Sequence, residues 1–314
     1  MKAFEHINAK TIDEAVSALQ VGSAVVNAGG TDLIGALRFQ ILPDYPATVV
    51  SLKSITPSLD YIKEEGGMLK IGALTRLEDI AKNTTIQTKY TALAEAASRT
   101  ASPHIRRAGT IGGNICQMNR CWYFRKDDNR FDCIRKGGNM CFAMAGDNRY
   151  HSIFGAIGAC VAVNPSDTAP ALVALDATIK TTKRDIAAED FWDMKVPGST
   201  VLDDDEIVTE IQIPTFAGKS AFVKMAVRTS IDFPIVNCAA AIDGDNIRVC
   251  LNAVYNKPVR ATAAEEAMAG KEINEANAEA AGDAAVANAN GLARNKYKIQ
   301  IAKTMVKRAI LGCQ

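Results

Sequence analysis

Five cysteines fall between positions 116 and 160, a concentration that points to thiolate chemistry. They are Cys116, Cys121, Cys133, Cys141 and Cys160. No pair has C-x-x-C spacing, so neither a zinc ribbon nor a common ferredoxin pattern is present. Dispersed thiolates converging in space suit zinc or an iron–sulfur cluster. Just upstream, Thr110-Ile111-Gly112-Gly113-Asn114 forms a glycine loop. A second runs through Val26, Asn27, Ala28, Gly29, Gly30, Thr31, Asp32 and Leu33, between an expected strand and an expected helix. Glycines let backbone approach a ligand closely, and a helix start offers unpaired N–H groups to phosphate. There is no G-x-G-x-x-G, and Ala36 stands where a P-loop needs lysine. Two such loops together suit a dinucleotide with its pyrophosphate between them. His6, His104 and His151 are scattered, and Glu64-Glu65 and Asp203-Asp204-Asp205 read as solvated turns. No proton-transfer catalyst stands out, so cofactors are expected to carry the chemistry.

The chain has 314 residues, 48% hydrophobic and 23% charged, enough for two or three domains with proper cores. A net charge of +1 gives no electrostatic footprint for nucleic acid. No apolar run reaches the roughly 20 residues of a membrane span, and the N-terminus lacks the apolar stretch of a signal peptide. A cytoplasmic protein with reduced cysteines is expected.

Short strands alternate with helices, so the class is mixed α+β. Strands are expected at Ala3–Ile7, Ala24–Ala28 and Val49–Leu52. Thr11-Ile12-Asp13-Glu14 reads as a capping box, and Thr75-Arg76-Leu77-Glu78 repeats it. Gly66-Gly67 marks a hairpin. Met118 to Tyr150 lacks periodicity and needs something to pin it. A strand is expected at Cys160–Val163, a helix capped by Ser166 or Asp167 reaching Leu175, and strands at Ala177–Thr181 and Glu206–Ile213. After a linker at Thr215–Lys219, strands at Ala221–Val227, Cys238–Ile242 and Ile247–Ala253 precede three helices. Cys238, Cys250 and Cys313 read as structural.

Ala28-Gly29-Gly30-Thr31-Asp32-Leu33 followed by Thr110-Ile111-Gly112-Gly113-Asn114 resembles the FAD-binding subunits of the molybdenum hydroxylase (xanthine dehydrogenase) family. Pro165-Ser166-Asp167-Thr168-Ala169-Pro170, Asp205 to Pro214, and Phe222-Val223-Lys224 with Arg228 extend the resemblance over nearly the whole chain. It implies the two-part FAD-binding fold of the vanillyl-alcohol oxidase type over residues 1–217, divided near 56, and an α+β C-terminal domain over 218–314. By that resemblance both glycine loops hold FAD, and Ser102, Asp167 and Lys224 add polar contacts. Read from the residues alone, Asp167 is equally a helix cap and Lys224 a solvated lysine.

Arg120-Cys121-Trp122-Tyr123-Phe124, Cys133, Lys136-Gly137-Gly138, Cys141 and Cys160-Val161-Ala162-Val163 resemble the members that carry a [4Fe–4S] cluster, namely the 4-hydroxybenzoyl-CoA reductase and aldehyde oxidoreductase flavin subunits. That resemblance implies Cys121, Cys133, Cys141 and Cys160 as ligands, with Cys116 the alternative to Cys160. Trp122, Tyr123 and Phe124 either shield the cluster or simply pack beneath the loop. The implied function is electron relay through FAD and a [4Fe–4S] cluster between an external carrier and a molybdenum subunit. The implied partners are a molybdenum-cofactor large subunit and a [2Fe–2S] small subunit, in a heterotrimer that often pairs. The alternatives are a zinc-stapled binding module without redox function and a free-standing flavin oxidase.

Overall fold

The structure is a computed structural model and describes residues 1–195 and 197–314. The chain first builds a parallel sheet from β1 (Glu5–Asn8), β2 (Ala24–Asn27) and β3 (Thr48–Ser51), in the order β1-β3-β2. Parallel neighbours need crossovers. The first is α1 (Ile12–Gln20), and the second contains α2 (Leu33–Arg38). Thr11 caps α1 by accepting from the Glu14 N–H at 3.1 Å. Glu14 reaches back one residue further than a standard capping box, to the Lys10 N–H. Ala15 and Leu19, a turn apart, meet Val50 and Leu52 in a small apolar core.

The second sheet is antiparallel, in the order β4-β5-β8-β6-β7. Its strands are β4 (Ile62–Glu65), β5 (Met68–Gly72), β6 (Thr178–Thr181), β7 (Asp185–Ala187) and β8 (Val208–Pro214). Gly66 and Gly67 both take positive φ and close the β4–β5 hairpin. Leu69, Ile71, Ile179, Ile211 and Ile213 face the helices joining β5 to β6 and form the largest core. Those helices are α3 (Leu77–Lys82), α4 (Thr84–Lys89), α5 (Thr91–Ser98), α6 (Pro103–Ala108), α7 (Ile111–Ile115), the short α8 (Phe142–Ala145) and α9 (Thr168–Ala174).

The third sheet, in the order β12-β11-β10-β9, is antiparallel. It comprises β9 (Lys219–Met225), β10 (Val236–Asp243), β11 (Asn246–Asn252) and β12 (Val259–Arg260). Both its faces are buried, and successive residues divide between them. Cys238, Ala240, Val249 and Leu251 pack under α10 (Thr262–Met268), α11 (Glu275–Ala285) and α12 (Tyr297–Leu311). Ala239, Ala241 and Cys250 join the core of the second sheet. Ala278, Ala281 and Gly282 form the narrow buried face of α11.

Three local expectations fail. Thr110–Asn114, read as a glycine loop, is the cap and body of the short helix α7. Thr75 does not cap α3, because its hydroxyl exchanges hydrogen bonds with the Tyr61 backbone instead. Glu78 is drawn away to Arg106 and Lys82. Cys160–Val163 is extended but is not a strand. Only an isolated bridge joins Ile157 and Cys160, and the Ala162 N–H turns onto Cys160 Sγ at 3.4 Å. Its other hydrogen bonds go to loops, from Ser152 N–H to Val161 O and from Asn164 N–H to Tyr255 O. The strand β7 was not anticipated; at three residues it is too short to show a period.

Candidate functional site

Both glycine loops line one cleft of about 820 Å3. Val26, Asn27, Ala28, Gly29, Gly30, Thr31, Asp32 and Leu33 form one wall, and Thr110, Gly112 and Gly113 another. The glycines have separate reasons. A Cβ on Gly29 would stand 2.0 Å from the carbonyl oxygen of Ala108, so only glycine lets the first loop close on the end of α6. Gly30 takes φ +72°, the left-handed region. Thr110 caps α7 through the Gly113 N–H. Asn27 Oδ1 is buried on this cleft without a hydrogen-bond partner. An orphaned acceptor on a cleft of this size fits a bound ligand that donates to it.

The remaining residues implied by resemblance lie away from this wall. Ile111 is fully buried in the main core. Asn114 Oδ1 accepts from the Ser166 and Thr168 hydroxyls at 2.6 and 2.7 Å. Ser102 caps α6, accepting from the Ile105 N–H. Asp167 makes no cap hydrogen bond with α9. Its carboxylate faces Lys224 Nζ at 2.7 Å and the Asn237 amide at 2.8 Å. The solvated-lysine reading of Lys224 therefore fails, since its side chain is 4% exposed.

Cys121, Cys133, Cys141 and Cys160, which are far apart in sequence, line a single small cavity. Cys116 lies elsewhere, on the wall of the nucleotide-sized cleft. Burial pushes the thiols of Cys116 and Cys121 up to about 12. The Cys133 thiol is raised by burial too, with nearby backbone N–H groups and Lys136 opposing the shift. Among the described residues, no three His, Cys, Asp or Glu side chains close together as a single metal ion requires. Tyr123 and Phe124 wall the small cavity, while Trp122 is 39% exposed. Asn119 also lines it, with a buried Nδ2 that has no partner. Arg135 Nε stands 3.5 Å from Cys160 Sγ, and His151 Nε2 3.2 Å from Cys121 Sγ. A donor-rich shell around four sulfurs fits an anionic thiolate-bound group.

Asp32 joins the cleft to the cysteine-rich segment. It accepts from the Met118 N–H at 3.0 Å and forms ion pairs with Arg120 and Arg125 at 2.9 and 2.7 Å. Arg120 in turn lies over the Phe233 ring at 4.6 Å. It borders a second cavity of about 390 Å3, lined also by Cys121, His151 and Arg228. Burial pulls the Arg120 guanidinium down to about 10.

Sequence reasoning passed over Asn119, Arg135 and His151 as functional residues. The one available signal was local, because Arg135 and Lys136 follow Cys133 within a single turn.

Residues 2–216 match the family model described as the FAD binding domain in molybdopterin dehydrogenase. Residues 221–313 match the CO dehydrogenase flavoprotein C-terminal domain. The chain is 34% identical to the aldehyde oxidoreductase FAD-binding subunit PaoB of Escherichia coli, over 96% of each chain. It is 28% identical to the carbon monoxide dehydrogenase medium chain of Hydrogenophaga pseudoflava, over 98% of this chain and 96% of that one. The solved carbon monoxide dehydrogenase of Hydrogenophaga pseudoflava lacking the Mo-pyranopterin moiety superposes with a TM-score of 0.75, at 28% identity, over 99% of this chain and 97% of that chain.

Proposed function

This chain belongs to the FAD-binding subunits of the molybdenum hydroxylase family, and we propose that it relays electrons through FAD and a [4Fe–4S] cluster within a larger oxidoreductase. The observation carrying this reading is the meeting of Cys121, Cys133, Cys141 and Cys160 at one cavity. FAD exchanges one or two electrons and a cluster exchanges one, so together they join a two-electron partner to one-electron carriers.

The chain's own residues would bind and position. Val26–Leu33 with Thr110, Gly112 and Gly113 would offer backbone and hydroxyl groups to the pyrophosphate, and Asn27 Oδ1 would accept from the ligand. The Asp167–Lys224 pair, braced by Asn237, lies off the cleft wall and ties the start of α9 to the third sheet. Tyr123 and Phe124 would wall one side of the cysteine cavity, while Cys121 also borders the second cavity. Cys116 faces the nucleotide cleft, which supports Cys160 as the fourth ligand. The proposed partners are a molybdenum-cofactor subunit, a [2Fe–2S] subunit and an external carrier. The relatives named for aldehyde oxidoreductase and carbon monoxide dehydrogenase support such an assembly. No helix is long and apolar enough to cross a membrane among the described residues, and a cytoplasmic location is part of the proposal.

The test is anaerobic purification with iron, zinc and flavin counted together, then electron paramagnetic resonance after dithionite reduction. About four irons and one FAD per chain, with a reduced-cluster signal, are expected. Zinc without iron or flavin would make the chain a structural module. Flavin without metal would leave the FAD site and remove the cluster. Cys160→Ser should lose iron, and Cys116→Ser should keep it.

A further inference from the structure

Two buried cations stand on the turn after Cys133: Arg135 lines the four-cysteine cavity, and Lys136 lines the neighbouring glycine-loop cleft. Arg135 is 2% exposed. Its Nε lies 3.5 Å from Cys160 Sγ, and its Nη1 donates to Gly198 O at 2.6 Å and Ser199 Oγ at 3.2 Å. Lys136 is 5% exposed, donates to Asn129 Oδ1 at 2.9 Å and lies over the Phe124 ring at 5.5 Å. Among the described residues neither forms an ion pair. Burying a cation without a counter-charge is costly. The arrangement is reasonable when negative charge fills the cavity that Arg135 faces. Asn119, with its unpartnered Nδ2, and the Ala162 N–H on Cys160 Sγ add two more donors to the same shell. Both cations stand on one short turn, Ile134–Lys136, directly after Cys133. Arg135 lines the cysteine cavity while Lys136 and Gly198 line the glycine-loop cleft, so this turn lies between the two sites.

We propose that Arg135 and Lys136 set the reduction potential of a cluster held by Cys121, Cys133, Cys141 and Cys160, keeping it above the value that a neutral shell would give. This rests on the cluster reading above. Reduction adds one electron, from reduced flavin or added dithionite, and makes the cluster with its four thiolates one charge more negative. No bond forms or breaks. A fixed cation in a poorly solvated site stabilises the more negative state more strongly. Arg135 is a positioning residue here: it acts through the sulfur of Cys160 and exchanges neither electron nor proton.

The experiment compares the anaerobically purified complex with Arg135→Gln, Arg135→Lys and Lys136→Gln. Iron is counted first, and a redox titration followed by electron paramagnetic resonance comes second. Arg135→Gln should move the cluster's equilibrium at least about tenfold toward the oxidised form, about 59 mV for one electron. Lys136→Gln should shift it the same way, and Arg135→Lys should stay near wild type. An iron-loaded Arg135→Gln protein that titrates at the wild-type potential would overturn the proposal. So would an Arg135→Lys protein that falls as far as Arg135→Gln, since geometry rather than charge would then matter. If Arg135→Gln loses its iron, Lys136→Gln decides: a downward shift supports the proposal and an unchanged potential overturns it. Wild-type protein without iron would be a failure of the cluster reading itself, visible in the metal count before any potential is measured.

Discussion

Asp167 and Lys224 show what one buried pair contributes and what it costs. Their charged atoms are 2.7 Å apart, with side chains 2% and 4% exposed. Burial still lifts the Asp167 carboxyl to about 6, although Lys224 and Asn237 pull it down. Desolvation therefore outweighs the attraction, as it commonly does for interior ion pairs. Removing one partner is worse than removing both, because the survivor stays buried and unpaired. Asp167→Ala should cost roughly 3–5 kcal/mol of stability, whereas the apolar double replacement Asp167→Leu with Lys224→Met should cost much less. Denaturant unfolding of the singles and the double checks this. Additive losses would contradict it.

Elements position these residues, and here the sequence was legible unevenly. The first glycine loop was readable because close approach and positive φ leave glycine little competition, as Gly29 and Gly30 illustrate, whereas Thr110–Asn114 is the cap and body of the short helix α7 rather than a loop. The strands β1 to β3, β6 and β8 to β11 and the end of α9 were also placed within a residue or two, whereas α4, α6 and α7 were not anticipated. The Thr75 cap was misread because a threonine before an apolar run does not reveal that Tyr61, 14 positions earlier, will claim its hydroxyl. Cys160–Val163 looked like a strand because Val-Ala-Val favours one, but its hydrogen bonds go to a sulfur and to loops. The donors on the cysteine cavity were invisible for a similar reason, since only the fold brings Arg135 to Cys160. Asp32 is the hinge pin between α2 and the cysteine-rich segment, holding the Met118 N–H, Arg120 and Arg125 together. Asp32→Ala should weaken that join by roughly 1.5–3 kcal/mol, the range for hydrogen bonds to charged groups. Iron and FAD content should then fall together. Loss of flavin alone would show that the loop and the cysteine segment are held independently.

Across the whole molecule, the cysteine-rich segment is held from two sides. Asp32 grips its start, and α12 grips its end. Just before α12, Asn295 donates to the carbonyls of His151 and Ser152, and Tyr297 donates to that of Arg149. Lys298 Nζ donates to the carbonyls of His151 and Ala253 at 3.0 and 2.6 Å. The C-terminal unit is thus tied to the segment that carries the cysteines as well as to the second sheet. Lys298 is fully buried, and burial pulls its ammonium down to about 7. Below pH 7 both folded and unfolded chains carry its proton, so it adds no pH dependence. From pH 7 to about 10.4, the unfolded lysine keeps a proton that the folded one has released. The unfolded state then binds more protons, and stability rises with pH by up to about 1.4 kcal/mol per unit. Lys298→Met removes that term while taking a donor from the His151 and Ala253 carbonyls. Wild type should therefore gain stability relative to Lys298→Met as pH climbs from 7 to 10, read from denaturant unfolding at each pH. A difference that stays flat across that window would mean Lys298 keeps its proton in the fold, balanced by the carbonyls around it.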